Sequence, residues 1–198
     1  MKNKVLMCLA TLMMVAFLTG CGKAPQAQID AVNAAIEAAK TAEADVYLPD
    51  EFAAVQESMN SVMADIEAQK SKLFRKFGDV KLKLDEILTN ANQLASDVAG
   101  KKEEVKGQVS AMMDGVKTVI EENKKLLPRL PRGKEGAQVI EQIKADFATV
   151  DAAVVEAQGL YDNGSFMDAL NKINAAKEKA ESLNAEIKEV LTKARIRF

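Results

Sequence analysis

Apolar residues recur every three or four positions along almost the whole chain from residue 26 onward. This spacing places them on one face of an α-helix, which completes a turn every 3.6 residues. The first such series is Ile29, Val32, Ile36 and Ala39. No stretch alternates apolar and polar residues at the period of two that is typical of a half-buried strand. We therefore predict an all-α fold of elongated antiparallel helical hairpins, a coiled-coil-like bundle of four to five helices.

Prolines and glycines divide this pattern into separate helices. We expect a first helix over about 26–47, a second that begins at Pro49 and runs to about residue 77, and a third over 79–126. Proline suits the first turn of a helix because its missing N–H has no helical partner there. Gly100 leaves open whether the third helix is continuous, since glycine weakens a helix by about 1 kcal/mol relative to alanine.

The same spacing predicts which side chains are buried. Near the end of the second helix, the apolar face is expected to include Leu73 and Phe77. In the second half of the third helix, the predicted buried residues are Val105, Val109, Met112, Val116 and Val119.

A segment rich in proline, arginine and glycine, residues 127–136, is predicted to connect two hairpins. The first hairpin, with its long third helix, then occupies 28–126, and the second occupies 137–198. Within the second hairpin, residues 162–164 are expected to form a tight turn, with Ser165 as the N-cap of the last helix.

The N-terminus has the layout of an export signal. Lys2 and Lys4 precede an uncharged run from Val5 to Leu18. That run is shorter than the roughly 20 residues that a membrane-spanning helix needs, and small residues follow it, as they do at a signal-peptide cleavage site. We expect residues 1–20 to be removed, although an uncleaved membrane helix and an ordinary signal with an incidental cysteine are alternatives.

The four residues Leu18, Thr19, Gly20 and Cys21 resemble the lipobox of bacterial lipoproteins. The resemblance implies cleavage before Cys21, a diacylglycerol group on its sulfur and an acyl chain such as palmitate on its new amine. Residues 21–27 would then form a lipidated tether. In Gram-negative members an Asp after the cysteine favours the inner membrane. Gly22 at that position implies the outer membrane facing the periplasm, although the inner membrane stays open.

A second resemblance covers the first hairpin. Tyr47-Leu48-Pro49-Asp50-Glu51-Phe52 and the later Gly78-Asp79 resemble segments of Ala-rich helical domains in Gram-negative envelope lipoproteins, which share a Tyr-x-Pro-x-x-[Leu/Phe] motif and a Gly-Asp turn. The resemblance implies helical hairpins and an envelope location, and it implies no particular chemistry.

Composition argues against several function classes. The chain has no His, which excludes serine–histidine and cysteine–histidine catalysis. Its formal net charge of −2 argues against nucleic-acid binding. Cys8 lies in the expected signal and Cys21 is expected to hold lipid, so we predict no disulfide. We predict no enzymatic activity, no metal site and no cofactor beyond the covalent lipid.

One cluster of cations stands out around the predicted connector. Lys124, Lys125, Arg129, Arg132 and Lys134 occur with no acidic residue among 124–134. They are candidates for contact with an anionic surface. The alternative is that the first two lysines complement the negative end of a helix and the rest keep a connector hydrated.

These observations favour a non-catalytic scaffold, spacer or adaptor that is held at the cell envelope by a lipid anchor. The expected partners are the membrane and either another protein or a second copy of the chain, which would associate through helical faces. The alternative is a helical module that binds a peptide or a lipid in the periplasm.

Overall fold

The computed structural model describes residues 23–131 and 133–197, and this part of the chain is all-α. Its helices are α1 Gln26–Thr41, α2 Ala44–Tyr47, α3 Pro49–Lys70, α4 Gly78–Leu126, α5 Lys134–Asp162 and α6 Phe166–Lys193. A short 3₁₀ turn, Leu127–Arg129, follows α4. No strand occurs among the described residues. The predicted all-α fold is confirmed, and the described helices number six because the four-residue α2 was not anticipated.

The chain divides into two compact units within α4. Unit 1 ends at Gly100 and unit 2 begins at Lys101. The helix itself is uninterrupted from Gly78 to Leu126, so it continues through Gly100. Val98 and Val105 on either side are only 1% and 2% exposed. Burial of such side chains outweighs the roughly 1 kcal/mol that one glycine costs a helix.

Unit 1 consists of α1, α2, α3 and the first part of α4. Glu43 has a left-handed backbone (φ 71°), which reverses the chain after α1. Pro49 begins α3, as predicted. The buried apolar side chains of unit 1 are Ile29, Val32, Ala35, Ile36, Ala39, Ala44, Tyr47, Phe52, Val55, Met59, Val62, Ile66, Phe77, Val80, Leu84, Ile87, Ala91, Leu94 and Val98.

The prediction that the second helix reaches residue 77 is wrong. α3 ends at Lys70. There the Ser71 hydroxyl donates to the Ala68 carbonyl at 2.8 Å, a local bond that competes with continued helix. Phe77 is buried as predicted, but as the last residue before α4. Leu73 was expected in the core and is 86% exposed.

Unit 2 consists of the second part of α4 together with α5 and α6. On α4 its core contains Met113 and Ile120 where Met112 and Val119 were predicted. A straight helix drifts relative to a strict heptad, which moves the buried position by one residue. The buried apolar side chains of unit 2 are Val105, Val109, Met113, Val116, Ile120, Leu126, Leu130, Ile143, Phe147, Val150, Val154, Ala157, Ala169, Ile173, Ala176, Ala180, Leu183, Ile187 and Leu191.

A buried asparagine links two helices of unit 2. The Asn123 side-chain amide of α4 donates to the Ala180 carbonyl of α6 at 3.0 Å. In turn, Asn184 donates to the Asn123 side-chain oxygen at 2.6 Å. Among the described residues Asn123 is the only fully buried polar side chain. Its bonds stabilise one register of α4 against α6, because a slip would leave buried polar atoms unpaired.

The α5–α6 hairpin closes through the predicted turn. Gly164 has φ +83°, a backbone conformation that favours glycine. Ser165 occupies the N-cap position of α6, but its side chain makes no capping hydrogen bond. Tyr161 and Phe166 meet edge to face with ring centroids 5.4 Å apart, which packs the two helix ends together.

Candidate functional site

The predicted lipobox, Leu18, Thr19, Gly20 and Cys21, lies outside the described residues. The described chain starts at residue 23, and α1 begins at Gln26. Among the helices that the structure describes, none is both long enough and apolar enough to cross a bilayer.

Polar contacts show which end of unit 1 holds the start of α1. Gln28 on α1 donates to Asp85 on α4 at 2.7 Å. Lys83 on α4 forms an ion pair of 2.6 Å with Asp65 on α3. Since α4 begins at Gly78, these contacts place the first turn of α1 and the last part of α3 beside the first turns of α4.

The connector between α4 and α5, residues 127–133, contains part of the predicted basic cluster. Lys124 just before it forms a 3.2 Å ion pair with Asp151 on α5. Arg129 donates to the backbone carbonyl of Arg197 at 3.3 Å. Lys125 is exposed. The structure therefore gives two of these cations partners within unit 2.

Two further members of the cluster are described only in part or not at all. Arg132 lies outside the described residues, and for Lys134 the structure describes the backbone alone, as the first residue of α5. Contact of this cluster with an anionic surface stays a prediction.

One large apolar residue of the 127–133 connector, Leu130, faces inward. Leu130 is 3% exposed, and Leu126 just before the connector is 8% exposed. A Cβ atom on Gly136 would collide with the backbone oxygen of Pro131, so the first turn of α5 lies directly against the connector. The connector is thus packed onto unit 2.

The connector between α3 and α4 exposes its large apolar side chains instead of burying them. We call residues 71–76 the 71–76 loop. In it Leu73 and Phe74 are 86% and 79% exposed. Lys72, Arg75 and Lys76 are also exposed, and no ion pair with a described residue joins any of these three cations. The loop is held to α3 by its backbone, since the Lys76 N–H donates to the Gln69 side-chain oxygen at 3.4 Å.

Sequence reasoning missed this loop because it placed the segment inside a helix. Two signals in the sequence could have found it. Leu73 and Phe74 are neighbours, and neighbours on a helix point about 100° apart, so both cannot lie on one narrow apolar face. In addition, no acidic residue occurs between Glu67 and Asp79, a stretch that contains four cations.

A groove of about 370 Å³ runs between α3 and α4 of unit 1. Its lining includes Val55, Ile87 and Leu94, which are only 8%, 4% and 4% exposed. A ligand would therefore gain little apolar contact from these three side chains, because they are already withdrawn from water. Glu51 and Asp97 also line the groove and add two carboxylates.

Shifted pKa values occur at ion pairs on the helix surfaces. The hydrogen bond to Asp65 raises the pKa of Lys83. In unit 2, the hydrogen bond from Lys188 lowers the pKa of Glu122, and that from Lys179 lowers the pKa of Asp146. In each case the charged form is favoured, which is what a structural ion pair does.

Within residues 23–131 and 133–197, no group of three or more His, Cys, Asp or Glu side chains could hold a metal ion. Comparisons with models of protein families, with curated proteins and with solved structures found no match.

Proposed function

We propose that this chain is a lipid-anchored helical protein of the bacterial envelope that acts as a non-catalytic scaffold, spacer or adaptor. The observation that carries the proposal is the order of features at the N-terminus. Two lysines, a short uncharged run and Leu18-Thr19-Gly20-Cys21 occur in succession, and α1 starts only five residues after the cysteine. An acylated Cys21 would hold the helical units close to the membrane, because two or three acyl chains bind a bilayer durably.

Two features of the described helices support the scaffold role. Residues 78–126 form one helix shared by two units, and the side chains with shifted pKa values form ion pairs on helix surfaces. The large apolar side chains that line the groove between α3 and α4, Val55, Ile87 and Leu94, are almost fully withdrawn from water, which favours a scaffold over a module that binds a peptide or lipid in this groove. We place the anchor in the outer membrane, facing the periplasm, because Gly22 and not Asp follows the cysteine.

Metabolic labelling with palmitate tests the anchor. The full chain is expressed in a bacterium that processes lipoproteins, either unchanged or with Cys21→Ser. The unchanged chain should incorporate label and lose residues 1–20, whereas Cys21→Ser should remain unlabelled and unprocessed. Cys8→Ser is the matched control, because Cys8 lies within the expected signal and its loss should leave both outcomes intact.

Two results would overturn the anchor. One is an unlabelled wild-type chain, and the other is a Cys21→Ser chain that is labelled as strongly as the wild type. Crosslinking in intact cells followed by mass spectrometry then identifies the protein or second copy that the helical surfaces contact. Partner crosslinks are expected on exposed helix faces, and recovery of uncrosslinked monomer alone would contradict a scaffold or adaptor.

A further inference from the structure

Exposed apolar side chains are concentrated at one end of unit 1. Among the described residues, five large apolar side chains are substantially exposed, and three of them, Leu73, Phe74 and Leu82, lie within ten residues of one another. Such side chains are normally withdrawn from water, and a group of them on a surface marks an interaction site. The group lies in the 71–76 loop and the first turns of α4.

Three cations with no ion-pair partner among the described residues lie next to this apolar group. Lys72, Arg75 and Lys76 flank Leu73 and Phe74 directly. By contrast, Lys70 at the end of α3 is neutralised by Glu67 at 2.7 Å. Asp79 is the next acidic residue and lies in the first turn of α4, where it complements the positive end of that helix. The loop therefore presents two exposed apolar side chains beside three positive charges that no ion pair within the described part of the chain neutralises.

The loop lies at the same end of unit 1 as the start of α1. The Gln28–Asp85 bond joins the first turn of α1 to a residue only seven positions after the beginning of α4. At 1.5 Å per residue, that is about 10 Å along the helix from the point where the loop ends. Residues 21–25 connect Cys21 to α1 and span at most about 17 Å when extended. A bilayer that holds Cys21 would thus be within reach of the loop.

We propose that the 71–76 loop is a membrane-contact site that inserts Leu73 and Phe74 between the headgroups of anionic phospholipids, with Lys72, Arg75 and Lys76 bound to their phosphates. Apolar side chains flanked by Lys and Arg are the pattern that lies in a membrane interface. The groove between α3 and α4 is not lined by loop residues, and a bilayer demands no concave surface. An acidic protein would need a complementary shape, so the bilayer is the favoured partner.

This inference rests on the proposed function in one respect: acylation of Cys21 would hold the loop towards a membrane in the cell. The affinity of the loop for an anionic bilayer does not depend on acylation. It is therefore measured without the anchor, so that failure of the loop and failure of Cys21 acylation are separate results. A chain of residues 22–198 contains all the described helices and buried side chains, and circular dichroism checks that this chain and each variant keep their helix content.

The experiment measures partitioning onto sedimented vesicles. One set contains phosphatidylcholine with 30% phosphatidylglycerol, and the other contains phosphatidylcholine alone. The wild-type chain should bind the anionic vesicles at least about tenfold more strongly, and 0.5 M salt should remove most of the difference because it screens surface charge. Each cation near the membrane surface contributes about fivefold, so Lys72→Gln, Arg75→Gln and Lys76→Gln together should weaken binding about 100-fold. Leu73→Ser with Phe74→Ser should weaken it about tenfold or more.

Matched variants test whether binding depends on the loop itself or on the total positive charge and exposed apolar surface of the protein. Lys124→Gln, Lys125→Gln and Arg129→Gln together remove the same charge from the rival basic cluster and should weaken binding less than about threefold. Val46→Ser with Val155→Ser removes two exposed apolar side chains elsewhere and should have little effect.

Three results would overturn the membrane-contact site. The first is equal wild-type binding to neutral and anionic vesicles, and the second is loop variants that bind like the wild type. The third is a loss of binding in the matched variants as large as in the loop variants. If vesicles bind poorly while a crosslinker at residue 74 captures an acidic protein in cells, the loop is a protein-docking site and the bilayer proposal is wrong.

Discussion

Two basic connectors in this molecule have opposite constructions. The 127–133 connector of unit 2 buries Leu130, and its neighbouring cations Lys124 and Arg129 have partners on the same unit. The 71–76 loop of unit 1 exposes Leu73 and Phe74, and its cations have no described partners. Charge density alone does not distinguish the two segments, since the loop contains two lysines and one arginine and the connector contains two arginines with lysines just before and after it. What distinguishes them is whether a large apolar side chain within the segment reaches the core, as Leu130 does and Leu73 and Phe74 do not.

This difference has a physical origin. Leu126 and Leu130 are separated only by the three-residue 3₁₀ turn Leu127–Arg129, so both can fold onto the helices of unit 2. Leu73 and Phe74 are consecutive and lie where the chain reverses between α3 and α4. There Phe77 alone is positioned to close the core of unit 1, with 6% exposure. The residues before it are left at the tip of the hairpin.

The largest expected effect is on the free energy of unfolding, in a direct comparison of Leu130 with Leu73. Leu130→Ala should destabilise unit 2 by about 2–4 kcal/mol, because it removes buried methyl groups and leaves a cavity. Leu73→Ala should change stability by less than about 0.5 kcal/mol, as expected for an exposed site. Urea unfolding followed by circular dichroism measures both variants. Equal losses would show that the two connectors do not differ in burial.

A second comparison tests the close contact between the connector and α5. Gly136→Ala should cost about 1–3 kcal/mol, because the new methyl group collides with the Pro131 carbonyl and the backbone must shift. Gly159→Ala in the same helix meets open space and should stabilise the protein by about 0.5–1 kcal/mol. Thermal unfolding of the two variants should therefore move in opposite directions. A stabilising Gly136→Ala would contradict the packed connector.

The fold could largely be predicted because helical periodicity is a local property. The bounds of α4 and the end of α5 follow from Gly78, the prolines after Leu126, and Gly164. Two features could not be obtained in that way. The end of α3 at Lys70 depends on whether Ser71 makes a local hydrogen bond or continues the helix. The periodic pattern does not reveal this end, because Leu73 and Phe77 continue it. The short α2 depends on a left-handed backbone at Glu43, a residue with no strong preference for it.

The candidate site was harder to predict than the fold. The motif ending in Cys21 is readable from residue types and order, and it lies outside the described residues. The basic cluster around Lys124 was selected by charge alone, and the 71–76 loop was overlooked. Exposure of Leu73 and Phe74, and the partners of Lys124, are tertiary properties, so they became visible only in the folded chain.

The smallest expected effect concerns the paired charges of unit 2. Because Lys188 lowers the pKa of Glu122, the pair stabilises the folded state fully above the ordinary Glu pKa of 4.5. That contribution is lost as the pH falls through the lowered folded-state pKa. Carbon-detected NMR titration should therefore place the Glu122 pKa below 4.5 in the wild type and closer to it in Lys188→Met. Identical titration of Glu122 in both proteins would contradict the ion pair.

The most direct measurement asks whether the 71–76 loop enters an anionic bilayer. Residues 22–198 contain no cysteine, so Leu73→Cys gives a single attachment point for an environment-sensitive NBD fluorophore. Asn163→Cys at the exposed α5–α6 turn is the control. On addition of vesicles with 30% phosphatidylglycerol, the emission of the label at residue 73 should shift to the blue and increase severalfold, while the label at residue 163 should not respond. An unchanged spectrum at residue 73, or an equal response at both positions, would contradict membrane contact through this loop.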